Sequence, residues 1–188
     1  KVNCYHFVYD DKNKVTKIEY LKGGKPAQEE FSKFSKVAIQ YSDGWEKEIY
    51  QDQDGKATEN DEGIFSIRKK LDEKGNIVNI FNYNKEGNLT ENVYGIAQYI
   101  YELDKDGRKI KSYRIDIQGK RITDKKGKYE IHFKYDDEGN VLENSNYGKD
   151  GQLLENNYGV ALTRYNFDKD GNPIEIRYYG TDEQLRLS

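Results

Sequence analysis

Three kinds of residue in this chain of 188 have chemistry beyond folding: aspartates set beside glycines, one cysteine with two histidines, and aromatic rings. The aspartates raise calcium first. A helix-loop-helix calcium loop needs oxygen ligands at positions 1, 3 and 5, glycine at 6 and a bidentate acid at 12. With Gly107 at the glycine position, Glu102, Asp104 and Asp106 become the first three ligands, but the last position is Tyr113; with Gly171 it is Arg177. Neither supplies the acid, and turn chemistry accounts for the aspartates without an ion. Zinc is weaker still, because Cys4, His6 and His132 share no local ligand spacing. Cys4 and His6 stand two apart, hence on one face of a strand, so a thiolate beside a base is conceivable. With no oxyanion loop in view, Cys4 reads instead as a strand residue packed against its neighbours. The adjacent acids Glu29 with Glu30 and Asp61 with Glu62 are what a chain that is 35% charged places on solvated loops. Asn88-Leu89-Thr90 matches a glycosylation sequon, which matters only on a eukaryotic secretory route. No catalytic residue, metal ligand or cofactor is assigned, and the chain is expected to be non-enzymatic.

The aromatics carry the most functional weight. Trp45 is the only tryptophan, and Tyr178-Tyr179 sets one ring on each face of its strand. Exposed rings in register along a sheet can stack on sugars or bury against a protein, since Tyr and Trp give contact area at low entropic cost. The competing reading is that the rings cover the sheet for its own stability.

The elements that must hold these rings come from a repeat. Gly75, Gly107, Gly139 and Gly171 recur at a period of 32, as do Gly63, Gly95, Gly127 and Gly159, and Gly55, Gly87, Gly119 and Gly151. Asn60, Asn92, Asp124 and Asn156 follow in step. Around the fifth repeat, Tyr129, Ile131, Phe133 and Tyr135 alternate with Glu130, His132 and Lys134, the pattern of a strand with one covered and one wet face. Asp136-Asp137-Glu138-Gly139-Asn140 then turns the chain: the aspartate bonds the backbone ahead, and Gly139 supplies the left-handed residue that closes a bulged hairpin. In the first repeat Asn13 takes the glycine's place, and in the second the turn shortens to Tyr41-Ser42-Asp43-Gly44-Trp45. Short third strands are expected around Leu89, Leu153 and Leu185, and one helical turn is weighed for residues 27–36.

The expected fold is therefore all-β, about a dozen or more antiparallel strands in an elongated, twisted meander, because 32 residues are too few for a four-stranded propeller blade. Residues 1–188 form one array of about six repeats, irregular over 1–60 and regular over 61–188, with room for more repeats in a longer parent protein. Each repeat touches mainly its neighbours, so the irregular amino-terminal third is expected to exchange its amide hydrogens fastest.

Composition limits the partners. Lys and Arg number 31 against 34 Asp and Glu, a net charge of -3, so nucleic acid is not the expected ligand. No run approaches the roughly 18 to 20 apolar residues of a membrane span, and membrane insertion is not expected. Leu, Ile, Val and Phe make about 22% of the chain, just above the roughly 20% below which disorder is the better reading; 17 tyrosines help supply a core. A single cysteine rules out an internal disulfide.

The segments Phe133-Lys134-Tyr135-Asp136 through Asn140, and Tyr147 through Leu153, resemble the tandem hairpin repeats of bacterial proteins of the MORN-like and tyrosine-aspartate kinds. The resemblance extends over nearly the whole chain, and it implies an envelope, secreted or scaffold protein, extracellular or at the cell envelope. The expected function is a non-catalytic binding or scaffold module that engages a protein or carbohydrate partner through aromatic-rich sheet faces. The other reading is a repeat appendage of a larger enzyme or toxin whose active domain lies outside this chain. Neither the binding residues nor the oligomeric state can be read from the sequence.

Overall fold

Local turn chemistry sets the architecture. In the computed structural model, which describes residues 4–27, 33–124 and 127–186, a hydrogen-bonded turn recurs in which an Asp or Asn begins and a glycine stands fourth. At Asp72 the side-chain Oδ1 accepts the backbone N–H groups of Lys74 (2.9 Å) and Asn76 (2.8 Å). The N–H of Gly75 bonds the Asp72 carbonyl at 3.0 Å, and that of Asp72 bonds the Asn76 carbonyl at 2.9 Å. Gly75, Gly107, Gly139 and Gly171 have φ of 86°, 83°, 94° and 80°, the left-handed region expected of them. Asn60, Asn92, Asp104, Asn156 and Asp168 hold the same pair of backbone donors. Steps of 8, 12 and 12 residues between such turns make up the period of 32. Where glycine opens the turn, at Gly148 and Gly180, the carboxylate moves two places on, and Asp150 and Asp182 cap Gln152 and Gln184 at 3.0 Å each. Asn13 and Glu183 are the described non-glycine residues at positive φ, 61° and 55°.

Between the turns, alternating segments form fifteen strands among the described residues, and every paired neighbour whose register is resolved is antiparallel. There is no helix among the described residues, so none is long and apolar enough to cross a membrane. Half of the stretch 27–36, weighed above as one helical turn, lies outside the described residues; the described half, Ala27 and 33–36, holds no helix, and Lys36 already belongs to a strand. The chain divides into two units.

The amino-terminal unit, Lys1–Gln98 with Asp116–Gln118, contains β1 (Cys4–Tyr9), β2 (Val15–Lys22), β3 (Lys25–Pro26), β4 (Lys36–Ser42), β5 (Trp45–Gln51), β6 (Ser66–Leu71) and β7 (Ile77–Tyr83). Its strands follow chain order, with β3 paired to β2 outside that path. One face carries the core: Val37, Ile39, Tyr50 and Ile64 are buried, with Val15, Ile18, Phe34, Tyr41 and Ile67 packed around them. Rings continue it from Tyr5 through Tyr20 and Phe34 to Tyr50, with centroids 5.2, 5.4 and 4.9 Å apart. Burial raises the Tyr50 hydroxyl to about 12.

The carboxy-terminal unit, Tyr99–Ile115 with Gly119–Ser188, contains β8 (Gln98–Leu103, from Tyr99 onward), β9 (Lys109–Ile115), β10 (Arg121–Ile122), β11 (Glu130–Tyr135), β12 (Val141–Tyr147), β13 (Leu162–Phe167), β14 (Pro173–Tyr179) and β15 (Leu185–Arg186). β10 pairs to β9 and β15 to β14. Bulges shift the register at Tyr9, Leu71, Tyr135 and Phe167, each time where the strand enters its turn, as the glycine turn requires. The β4–β5 hairpin has no bulge, because Ser42 pairs directly with Trp45 across Asp43-Gly44. The short third strands are present as β15 and as the bridges Tyr83 to Leu89 and Tyr147 to Leu153.

Tyrosines lock consecutive hairpins together. The hydroxyl of Tyr41, at the end of β4, donates to the Val15 carbonyl at 3.0 Å, and that of Tyr135, at the end of β11, to the Lys109 carbonyl at 2.8 Å. A cation covers each ring, Lys14 at 4.6 Å and Arg108 at 5.1 Å. These tyrosines serve the fold, as the competing reading of the aromatics expects.

Candidate binding face around Trp45

β5 reads Trp-Glu-Lys-Glu-Ile-Tyr-Gln, and strand alternation sends its charges to opposite faces by sign. Glu46 and Glu48 point to the core face, where Lys69 of β6 meets both, Glu46 at 2.6 Å. Burial works to lower the Lys69 pKa, but the hydrogen bonds and charges of the two glutamates outweigh it and hold the ammonium above the ordinary lysine value. Trp45 and Lys47 point the other way. Register places Gln40 opposite Lys47 and Lys47 opposite Arg68, while Ser42 faces Trp45 and Trp45 faces Lys70. Arg68 in turn pairs with Phe81 of β7. Across β4 to β7 this face carries Lys36, Lys47, Arg68 and Lys70 and no strand carboxylate.

The Trp45 ring rests on Phe81, centroids 5.7 Å apart, and Arg68 lies over Tyr83 at 5.0 Å. Two clefts meet at Trp45. One, of about 510 Å³, is lined by Gln40, Tyr41, Ser42, Trp45, Lys47 and Arg68. The other, of about 570 Å³, runs from Lys14 and Tyr41 past Trp45 to Leu71 and the turn acids Asp72 and Glu73. A flat ring, an amide, a hydroxyl and two cations thus converge in the first. That set can stack on a sugar ring and bond its hydroxyls.

The other candidates from the sequence are dispersed. Cys4 is exposed, which corrects the expectation of a packed strand cysteine: β1 is almost wholly solvent-facing, with nothing to bury it. His6 pairs with Glu19 at 3.0 Å, and His132 pairs with Glu130 at 2.8 Å with its ring on Tyr147 at 4.3 Å. Asp104 Oδ1 takes the N–H groups of Asp106 and Arg108, and its Oδ2 takes the Arg108 guanidinium at 2.7 Å, so these lone pairs cap a turn. Among the described residues no three metal-ligating side chains gather. Glu62 and Asp61 diverge, one to the Asn92 amide at 2.6 Å and the other to the Lys33 N–H at 3.3 Å. Glu29 and Glu30 lie outside the described residues. Asn88 is exposed on its turn. Tyr179 lies under Arg164 at 5.0 Å, with Tyr178 on the opposite face beside Thr163. What sequence reasoning missed was Lys47 and Arg68, whose signal was the charge parity of β5 together with its cross-strand register.

No protein family matches this chain, and no curated protein matches it. Among solved structures it is similar to a porin-like protein from Bacteroides uniformis, at 9% identity and a TM-score of 0.40, covering 97% of this chain and 84% of that one. The antiparallel meander expected from the repeats is present, and no match assigns it to the MORN-like type.

Proposed function

We propose that this chain is a non-catalytic binding module that holds a glycan on the Trp45 face of its amino-terminal unit. One observation carries the reading: the single tryptophan lies on a face shared by strands β4 to β6, beside the polar groups of Gln40 and Ser42 and bordering two clefts. An envelope or extracellular setting accompanies the proposal and rests on the repeat resemblance alone.

Trp45 is its own reporter. Selective excitation of this one tryptophan during titration with neutral and charged glycans should give a saturable change, and Trp45→Ala should weaken retention of the same glycan about tenfold or more. Binding that Trp45→Ala leaves unchanged, or no binding across the panel, would sink the reading.

A further inference from the structure

The ligand's charge can be read from a rule that this face breaks. Residues directly opposite in antiparallel strands are the closest side-chain neighbours in a sheet, and like charges there are destabilising. Lys47 is directly opposite Arg68, and Lys70 stands on the next row beside Trp45. None of the three meets a carboxylate among the described residues, and Arg68 has only the Tyr83 ring beneath it. The acids that flank Lys47 on its own strand, Glu46 and Glu48, face the core and serve Lys69 instead. The matching face of the carboxy-terminal unit shows the ordinary solution. There Glu143 occupies the place of Lys47 and Arg164 that of Arg68, three periods on, and they pair at 3.0 Å; Arg164 is also directly opposite Arg177, but each of these arginines has its own carboxylate, Glu143 and Glu175.

From this we infer that the Trp45 face takes an acidic polysaccharide, a chain of sugar rings bearing carboxylates or sulfates; the inference rests on the glycan reading above. Gln40, Lys47 and Arg68 form a row across three adjacent strands, about 10 Å long at the usual strand spacing. An anionic group over Lys47 and Arg68 removes their mutual repulsion and gains charge-assisted hydrogen bonds. A ring next along the chain reaches Trp45, with Ser42 and Gln40 available to its hydroxyls. A nucleic acid fits less well. Its dense phosphates meet the turn acids Asp43, Asp72 and Glu73 at the neighbouring cleft. An acidic glycan brings, besides its charges, ring hydroxyls for Gln40 and Ser42 and a saccharide face for Trp45.

The test titrates the whole chain with polygalacturonate, its methyl ester, chondroitin sulfate and polyglutamate, reading Trp45 fluorescence and calorimetry. At least one acidic glycan should bind about tenfold more tightly than the neutral ester, and raising ionic strength to about 1 M should remove most of that advantage. Lys47→Ala and Arg68→Ala should each weaken the acidic glycan about fivefold to tenfold and leave the ester unchanged, with circular dichroism confirming that both variants fold. Equal affinity for acid and ester, with Trp45→Ala still damaging, overturns the charge inference and leaves the glycan module standing. Failure of both acidic glycans while neutral glycans bind has the same meaning. Polyglutamate binding as tightly as the glycans overturns the inference in favour of an acidic peptide, and silence from every ligand overturns both readings.

Discussion

The two units use one strand geometry to opposite electrostatic ends. On the carboxy-terminal unit the basic side chains of one face all meet carboxylates: Lys111 with Glu102, His132 with Glu130, Lys134 and Arg164 with Glu143, and Arg177 with Glu175. On the amino-terminal unit the corresponding face leaves Lys47, Arg68 and Lys70 without such partners, while Glu46 and Glu48 serve Lys69 behind the sheet. Moving a carboxylate by one residue along a strand moves it through the sheet, because the side-chain period is two. The difference teaches that the balanced net charge, which argued against nucleic acid as the expected ligand, says nothing about the charge of one face.

Burial differs between the units in the same spirit, and the largest expected effect tests it. Ile64 follows a turn in the amino-terminal unit and is 1% exposed in the core, while the same position is Lys128 and a half-buried Val160 in the other unit. Ile64→Ala should cost about 2 to 5 kcal/mol, the usual range for a buried aliphatic truncation, and Val160→Ala about 1 kcal/mol or less. Denaturant unfolding measures both, and equal costs would show that the two units are supported alike.

A smaller effect, about 1 to 3 kcal/mol, is expected from Gly139→Val. An added Cβ meets no atom within 4 Å there, so the whole cost is the positive φ of 94°. The amino-terminal unit already tolerates Asn13 at the equivalent turn position with φ of 61°. Gly139→Asn should therefore recover a good part of what Gly139→Val loses; an asparagine variant as unstable as the valine one would mean that space, and not backbone angle, decides.

Much of this frame is legible in the sequence because the turn is a local device: an Asx side chain bonding two N–H groups ahead and a glycine in the left-handed region need only five residues. The third turn series was harder to read, since Gly148 and Gly180 lack the side chain and Asp150 and Asp182 do the capping from two places on. Trp45 was legible as an exception to the repeat. Its cationic neighbours were not, because Lys47 and Arg68 are 21 residues apart and only the β5–β6 register makes them opposite. The irregular second repeat suggested a weak amino-terminal third, yet β4 and β5 hold Val37, Ile39 and Tyr50, the residues most of the core packs against. Exposed β1 is the part of that region with little to protect it.

Acid should separate the units by a modest margin. Burial works to raise the Glu143 carboxyl, but hydrogen bonds from Lys134 and Arg164 outweigh it and hold it below the ordinary 4.5; Glu130 behaves likewise, with His132 and Arg121 as donors. A carboxyl lowered on folding adds stability that is complete above about pH 4.5 and is lost as pH falls through its folded value. On the matching face of the amino-terminal unit Glu19 alone is lowered, by His6 and Lys17. Amide resonances of the carboxy-terminal unit should therefore weaken first as pH drops from about 5 to about 3, and Glu143→Gln should narrow the gap. Simultaneous loss in both units would mean that these pairs add nothing net.

The smallest effect is the most direct comparison, because Lys47→Glu writes the carboxy-terminal pattern into the amino-terminal unit. Position 47 corresponds to Glu143 and position 68 to Arg164, so the new carboxylate sits opposite Arg68 as Glu143 sits opposite Arg164. Replacing a like-charged pair by an ion pair at an exposed site should stabilise the chain by only about 0.2 to 1 kcal/mol, and added salt should shrink the gain. The same substitution puts a negative charge in the cleft beside Trp45, which lies on the same face two residues away. A more stable chain that no longer retains an acidic glycan would show that the unpaired cations are kept against the interest of folding. A variant no more stable than the original would show that Lys47 and Arg68 never repelled each other enough to matter, and the electrostatic contrast between the two units would lose its energetic basis.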